Sequence, residues 1–239
     1  MEVYSSGKVL LTGEYVILDG ALSLASPTKF GQYLKFNENQ SNLISWKSIN
    51  FDGNIWFECS INPENLEVRS TSSKKISNTL VEIINLIREY NPSFLKKNGY
   101  DITTKLTFEK NLGLGSSSTL ISNLSKISGV NPYTLNNNIF QGSGYDIACA
   151  ESISPLLYRI DKEQNIINEV SFKPSFHEYI YFVYLNKKQN SFLEIKRYNK
   201  NKASNSIIQE ISNITSEILV CNSIDTFNRL IEAHELIIS

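Results

Sequence analysis

Asp146 stands in the segment Gly142-Ser-Gly-Tyr-Asp-Ile-Ala148 and is followed by the small apolar run Ile147-Ala-Cys-Ala150. A carboxylate set among apolar neighbours needs a partner or a task, because burying its charge alone is costly. One task is to accept a hydroxyl proton, or to orient that hydroxyl for in-line attack. The other reading is a cap at a helix N-terminus. Upstream lies Asn111-Leu-Gly-Leu-Gly-Ser-Ser-Ser-Thr119. Glycines at Gly113 and Gly115 let the backbone approach an anion closely, and the first N–H groups of a following helix have no partner within it. With the positive end of the helix dipole they form a phosphate site. Ser116, Ser117, Ser118 and Thr119 add hydroxyls able to reach phosphate oxygens or a magnesium ion. The competing reading is a plain turn and N-cap. The run is neither a Walker loop, since no Gly-Lys-Ser/Thr follows, nor a dinucleotide fingerprint, since a serine replaces the third glycine.

A third group opens the chain: Ser6-Gly-Lys-Val-Leu-Leu-Thr-Gly-Glu-Tyr15. Lys8 can act as a point charge on a phosphate and is the natural counter-charge for Asp146. It also reads as a solvated strand-edge lysine. Glu14 and Tyr15 follow Gly13, where a tight turn exposes them.

These groups need elements to hold them. Tyr100–Phe108 reads as the strand before the glycine turn, and Leu120–Lys126 as the helix after it. Near the start, Val9–Leu11, Tyr15–Leu18, Leu22–Leu24 and Gln32–Phe36 read as short strands, with Asp19-Gly20 as a hairpin turn. Ile44–Phe57 reads as antiparallel strand turning at Asp52-Gly53. Apolar residues at Ile76, Leu80, Ile83, Ile84 and Ile87 have helical spacing, ended by Asn91-Pro92. Asn131-Pro132 starts a short helix to Phe140. Strands are expected at Leu156–Ile160, Ile166–Phe172 and Tyr179–Leu185, then two helices over Ala203–Ile238 divided near Asn222-Ser223. Strands, mixed segments and final helices in that order indicate an α+β protein.

Bulk properties exclude some functions. A net charge of -1 and a pI near 6.2 argue against nucleic acid or an anionic membrane as partner. The three cysteines, Cys59, Cys149 and Cys221, lack paired or zinc-site spacing and fit a reducing cytoplasm. No apolar run is long enough for a membrane span. His177 and His234 read as surface or core residues, Trp46 and Trp56 as sheet packing, and Lys187-Lys188 and Lys196-Arg197 as solvated pairs. All 11 glycines lie at or before Gly144, and the last helical pattern still runs at the final residue. The expectation is a piece of a longer protein.

Taken together in this order, Gly7-Lys8…Gly13-Glu14-Tyr15, Gly113-Leu-Gly-Ser-Ser117 and Ser143-Gly-Tyr-Asp146 resemble the GHMP kinases, the small-molecule kinases of galactose, homoserine, mevalonate and phosphomevalonate. Gly-Tyr-Asp-Ile-Ala looks like the string of that superfamily's bacterial GYDIA branch. Glu14-Tyr15 and the Gly142-Ser-Gly segment look closer to phosphomevalonate than to mevalonate kinases. The resemblance implies a domain like ribosomal protein S5 domain 2 over residues 1–154, and a partial ferredoxin-like domain over 155–239. It implies ATP and Mg2+ as cofactors, and a mevalonate-pathway intermediate, mevalonate or phosphomevalonate, as acceptor. It makes Asp146 the catalytic aspartate with Lys8 beside it. It gives the ATP phosphates to Gly113, Leu114, Gly115, Ser116, Ser117 and Ser118, magnesium to Ser116 and Ser117, and the acceptor to Glu14, Tyr15, Ser143 and Gly144. A cytoplasmic monomer or homodimer follows.

The chain also departs from the family pattern. Ser6 stands where the family has proline, as does another residue before the phosphate loop. No acidic residue lies between Ser116 and Tyr145, where several members place a magnesium-binding glutamate. The family's third glycine-rich motif is absent. A nucleotide-binding protein without catalysis, and a homoserine or sugar kinase, are the alternative readings.

Overall fold

The computed structural model describes residues 1–140, 142–162, 164–184, 197–198 and 202–238. The chain forms two compact units, and neither is a continuous stretch. The first joins Met1–Gly7 to Lys29–Glu151, and the second joins Lys8–Thr28 to Ser152–Ser239.

In the first unit, strands β2 (Ser23–Asn39), β3 (Ile44–Ile49), β4 (Ile55–Ile61), β5 (Val68–Thr71) and β6 (Gly99–Leu106) lie in the order β5-β4-β3-β6-β2. The sheet is mixed. β3 runs parallel to β6, with Ile44 opposite Tyr100, while the other pairs are antiparallel. β1 (Glu2–Leu10) also pairs with β2. Alternation decides which face is covered. Ile44, Trp46 and Ser48 of β3 and Ile102, Thr104 and Leu106 of β6 are buried, and the residues between them are more open. On the covered face lies α1 (Lys74–Tyr90), whose buried residues Leu80, Ile83, Ile84 and Ile87 repeat at helical spacing. α2 (Ser116–Ser128) adds Ile121 and Leu124, α3 (Pro132–Ile139) adds Leu135, and α4 (Tyr145–Glu151) adds Ile147. Each such aliphatic side chain contributes about 1.5–3 kcal/mol by leaving water. Polar side chains on the covered face of β3 and β6 pair with one another. Trp46 Nε1–H donates to Ser48 Oγ at 3.1 Å, and Thr104 Oγ1 donates to the same oxygen at 2.9 Å.

In the second unit, the start of β2 pairs antiparallel with β7 (Leu156–Arg159), and β7 with β8 (Ile166–Glu169). Among the described residues this unit also contains helices α5 (Asn205–Val220) and α6 (Ile224–Ile238). Leu24, Ile214, Ile218 and Leu230 form one buried cluster, and Val16, Ala21 and Ile211 another.

The structure corrects four local readings. Tyr15–Leu18 is not a strand, since Val16–Asp19 forms a 3-10 helix. Gly13 (φ 87°) and Tyr15 (φ 61°) take backbone angles that no extended strand allows, and the Ile17 N–H folds back to the Gly13 carbonyl at 2.9 Å. Packing of Val16 on Ile211 overrides the β-propensity of the segment. Asp19-Gly20 is therefore the end of that helix rather than a hairpin, with Gly20 (φ 91°) donating to the Ile17 carbonyl. Leu22–Leu24 and Gln32–Phe36 belong to one long strand, β2. The expected strand at Tyr179–Leu185 is absent from its described part, where a 3-10 turn covers His177–Tyr179. Leu185, Lys187-Lys188 and Lys196 lie outside the described residues.

Candidate functional site

β6 delivers the chain to the glycine turn. Gly113 (φ 76°) and Gly115 (φ 83°) both lie in the left-handed region, where a side chain is strained. A Cβ at Gly113 would meet nothing within 4 Å, so that side of the turn is open. Gly115 is the N-cap of α2 and no side chain caps this helix end. The first helical N–H bonded back is that of Thr119, to the Gly115 carbonyl at 3.0 Å. Ser116, Ser117 and Ser118 precede it, in the positions whose N–H groups have no acceptor within a helix. The hydroxyls differ. Ser118 is buried and its Oγ donates to the Gly115 carbonyl at 2.8 Å, so it stiffens the turn and offers a ligand its N–H. Ser117 is exposed and Ser116 half-buried. An uncapped helix end behind two positive-φ glycines fits a polyphosphate. Leu114 between them is half-buried.

Asp146 lies in the first turn of α4. Gly144 (φ 87°) starts that helix, its carbonyl accepting from the Ile147 and Ala148 N–H groups at 3.1 Å each. Ile147–Ala150 are buried while Ser143 and Asp146 are half-buried, and the Ile147 N–H donates to Asp146 Oδ1 at 3.1 Å. The N-terminal half of the helix dipole favours the charged carboxylate. α2 packs against α4, so the glycine turn and Asp146 open two helices in mutual contact.

Four residues around this helix pair carried no motif. Ser122 Oγ of α2 donates to Glu151 Oε1 of α4. Lys126 Nζ lies 3.7 Å from the same carboxylate and donates to the Tyr4 carbonyl at 2.8 Å. Tyr133 of α3 feels burial first, then the negative charges of Glu151 and Asp146, and its phenol is pushed up to about 12. It therefore stays a neutral O–H donor. Only the small polar content of α2, unusual on a packed helix, hinted at this network.

In the second unit, Lys8 belongs to β1, and Glu14 and Tyr15 to the turn after it. Glu14 keeps a face open to solvent, but the protein packed around its carboxyl raises its pKa; Lys8 and His234 oppose this, and Glu235 adds to it. The Tyr15 ring stacks on Tyr198 at 6.0 Å, and Tyr198 O–H donates to Asp19 Oδ2 at 2.6 Å. His234, read as core or surface, is buried, and its Nε2 accepts from the Gly13 N–H at 2.8 Å. Lys8, Glu14 and Tyr15 are thus neighbours in one unit, and Gly113–Ser118, Ser143, Gly144 and Asp146 in the other.

Among the described residues, no group of three or more His, Cys, Asp and Glu is placed to hold a metal ion. Among them, too, no helix is long and apolar enough to cross a membrane.

No protein-family model matches the chain, and no curated protein matches it either. Solved structures do. The mevalonate kinase of Methanococcus jannaschii superposes with a TM-score of 0.69 at 17% identity, over 100% of this chain and 78% of that one. The phosphomevalonate kinase of Streptococcus pneumoniae, in complex with phosphomevalonate and AMPPNP, gives 0.71 at 15% identity, over 99% and 79%. A D-glycero-D-manno-heptose 1-phosphate kinase from Bacteriodes thetaiotaomicron gives 0.62 at 16% identity, over 96% and 76%. The mixed sheet, its helices and the uncapped glycine turn give this chain the fold of the GHMP kinases.

Proposed function

We propose that the chain is an ATP-dependent small-molecule kinase of the GHMP type, transferring a phosphoryl group from MgATP to mevalonate or phosphomevalonate. The observation that supports this most is the pairing of α2 with α4, which sets an uncapped, glycine-led helix end and a half-buried carboxylate on two packed helices. Gly113, Leu114, Gly115 and the N–H groups of Ser116–Ser118 bind the phosphates. The Ser116 and Ser117 hydroxyls would help hold a magnesium ion, with phosphate oxygens and water as its other ligands, and the ion would supply charge neutralisation at the transferred group. Asp146 takes the proton of the attacking mevalonate hydroxyl or orients that hydroxyl, or orients the attacking phosphate oxygen of phosphomevalonate, Lys8 supplies positive charge, and Ser143, Gly144, Glu14 and Tyr15 contact the acceptor. In this reading residues 1–154 carry the ATP-binding domain, like ribosomal protein S5 domain 2, and 155–239 the ferredoxin-like one, with the Lys8–Thr28 segment lent to the second unit. The protein works in the cytoplasm, as a monomer or homodimer and without nucleic acid or membrane.

The test is magnesium-dependent ATP turnover with mevalonate and with phosphomevalonate, using Asp146→Ala as control. Turnover that Asp146→Ala abolishes is expected. A folded protein with no turnover removes the enzyme claim. Sugar phosphates belong in the same assay, because a heptose 1-phosphate kinase shares the fold. A second reading has its own support. The stretch from Ser116 to Tyr145 holds no acidic residue, which favours a nucleotide binder without catalysis. ATP affinity without turnover selects it.

A further inference from the structure

We infer that His234 is a positioning residue for the acceptor, holding the Gly13-Glu14-Tyr15 turn through one defined tautomer; this rests on the kinase reading above. His234 is 2% exposed and reaches back across most of the sequence. The Gly13 N–H donates to its Nε2 at 2.8 Å, so the ring proton sits on Nδ1, which faces Glu235 Oε1 at 3.2 Å. A ring protonated at both nitrogens presents a donor to the Gly13 donor and loses the bond.

The turn it holds has little other freedom. Gly13 has φ 87°, and a Cβ there would lie 2.0 Å from Ser23 Oγ. One residue earlier, Thr12 Oγ1 bonds Thr215 Oγ1 of α5 at 2.8 Å and accepts from the Leu24 N–H at 2.9 Å. One residue later, Glu14 lies within electrostatic reach of the His234 ring. The last two helices thus clamp consecutive residues of the turn, α5 at Thr12 and α6 at Gly13. The Thr12 contact is between two hydroxyls and tolerates rotation. The Gly13 contact is directional and sets where the Glu14 carboxylate and Tyr15 ring point. A shift of about 1 Å in such groups costs about 10²-fold in kcat/KM.

The experiment compares His234→Phe, which keeps ring volume but not the acceptor, with His234→Gln, whose Oε1 can accept from Gly13. Both are first shown to be folded by thermal melting. His234→Phe is expected to raise the acceptor KM about tenfold or more, leaving the ATP KM within about twofold, and His234→Gln to recover most of the loss. Equal rises in both KM values, or no rise in either, overturns the inference. Hydrogen exchange at the Gly13 amide is read in parallel. Protection in wild type and in His234→Gln but not in His234→Phe is expected, and unchanged protection in His234→Phe overturns the clamp. If wild type turns over no acceptor, the kinase reading fails and with it the positioning role, while the exchange result still decides whether His234 holds the turn.

Discussion

Asp146→Asn keeps the size of the side chain and the start of α4 but removes the carboxylate proposed as the base. Its kcat is expected to fall by about 10²–10⁴-fold with melting little changed, read from steady-state kinetics beside a thermal melt. Glu14 gives a pH prediction. Its pKa is raised in the folded chain, chiefly by the protein around it. The folded state therefore holds that proton to higher pH than the unfolded state, and stability falls as pH rises through the window between the two pKa values. Glu14→Gln is expected to melt above wild type at pH 7, the gap closing below about pH 4, where both states are protonated. The glycines separate backbone strain from crowding. Gly113→Ala meets open space and costs about 1–2 kcal/mol for its left-handed backbone, whereas Gly13→Ala adds a collision with Ser23 and costs more. Denaturant midpoints of the two variants test the order.

At the scale of elements, α2 and α4 are held together by a polar network as well as by Ile121 and Ile147. Ser122→Ala strips Glu151 of its hydroxyl partner and leaves Lys126 as its remaining bonded neighbour on α2. The expected loss is about 1–3 kcal/mol by chemical denaturation. Much of this level was legible in the sequence. The spacing of Leu80, Ile83, Ile84 and Ile87 places α1, Asn131-Pro132 places the start of α3, and the glycine turn places the head of α2. Each of those signals is local, a period or a cap. The failures share the opposite property. Tyr15–Leu18 reads as strand because Val and Ile favour strands, yet its shape is decided by Ile211, far away in sequence. Tyr133, Glu151 and His234 carry no motif because their partners, too, are distant in sequence. Lys8, Glu14 and Asp146 were visible because glycines flank them, and their neighbours were not.

At the scale of the whole molecule, the second unit draws on both ends of the sequence. Leu24 is buried among Ile214, Ile218 and Leu230, and Ser23–Ala25 form the ladder for β7. A polypeptide of residues 152–239 alone lacks that strand and that core residue, and is expected not to fold, giving a narrow amide NMR spectrum. A tether restoring residues 8–28 ahead of it is expected to recover dispersion. The same arrangement sets a timetable during synthesis. The first unit has all its residues once Glu151 has left the ribosome, whereas Val16, Ala21 and Leu24 have no docking surface until α5 and α6 are made. At about 5–20 residues per second, that early segment waits on the order of 10–40 s with its apolar side chains in water. A nascent chain stalled soon after Glu151 is therefore expected to present it to chaperones and proteases, while a stall beyond α6 withdraws it.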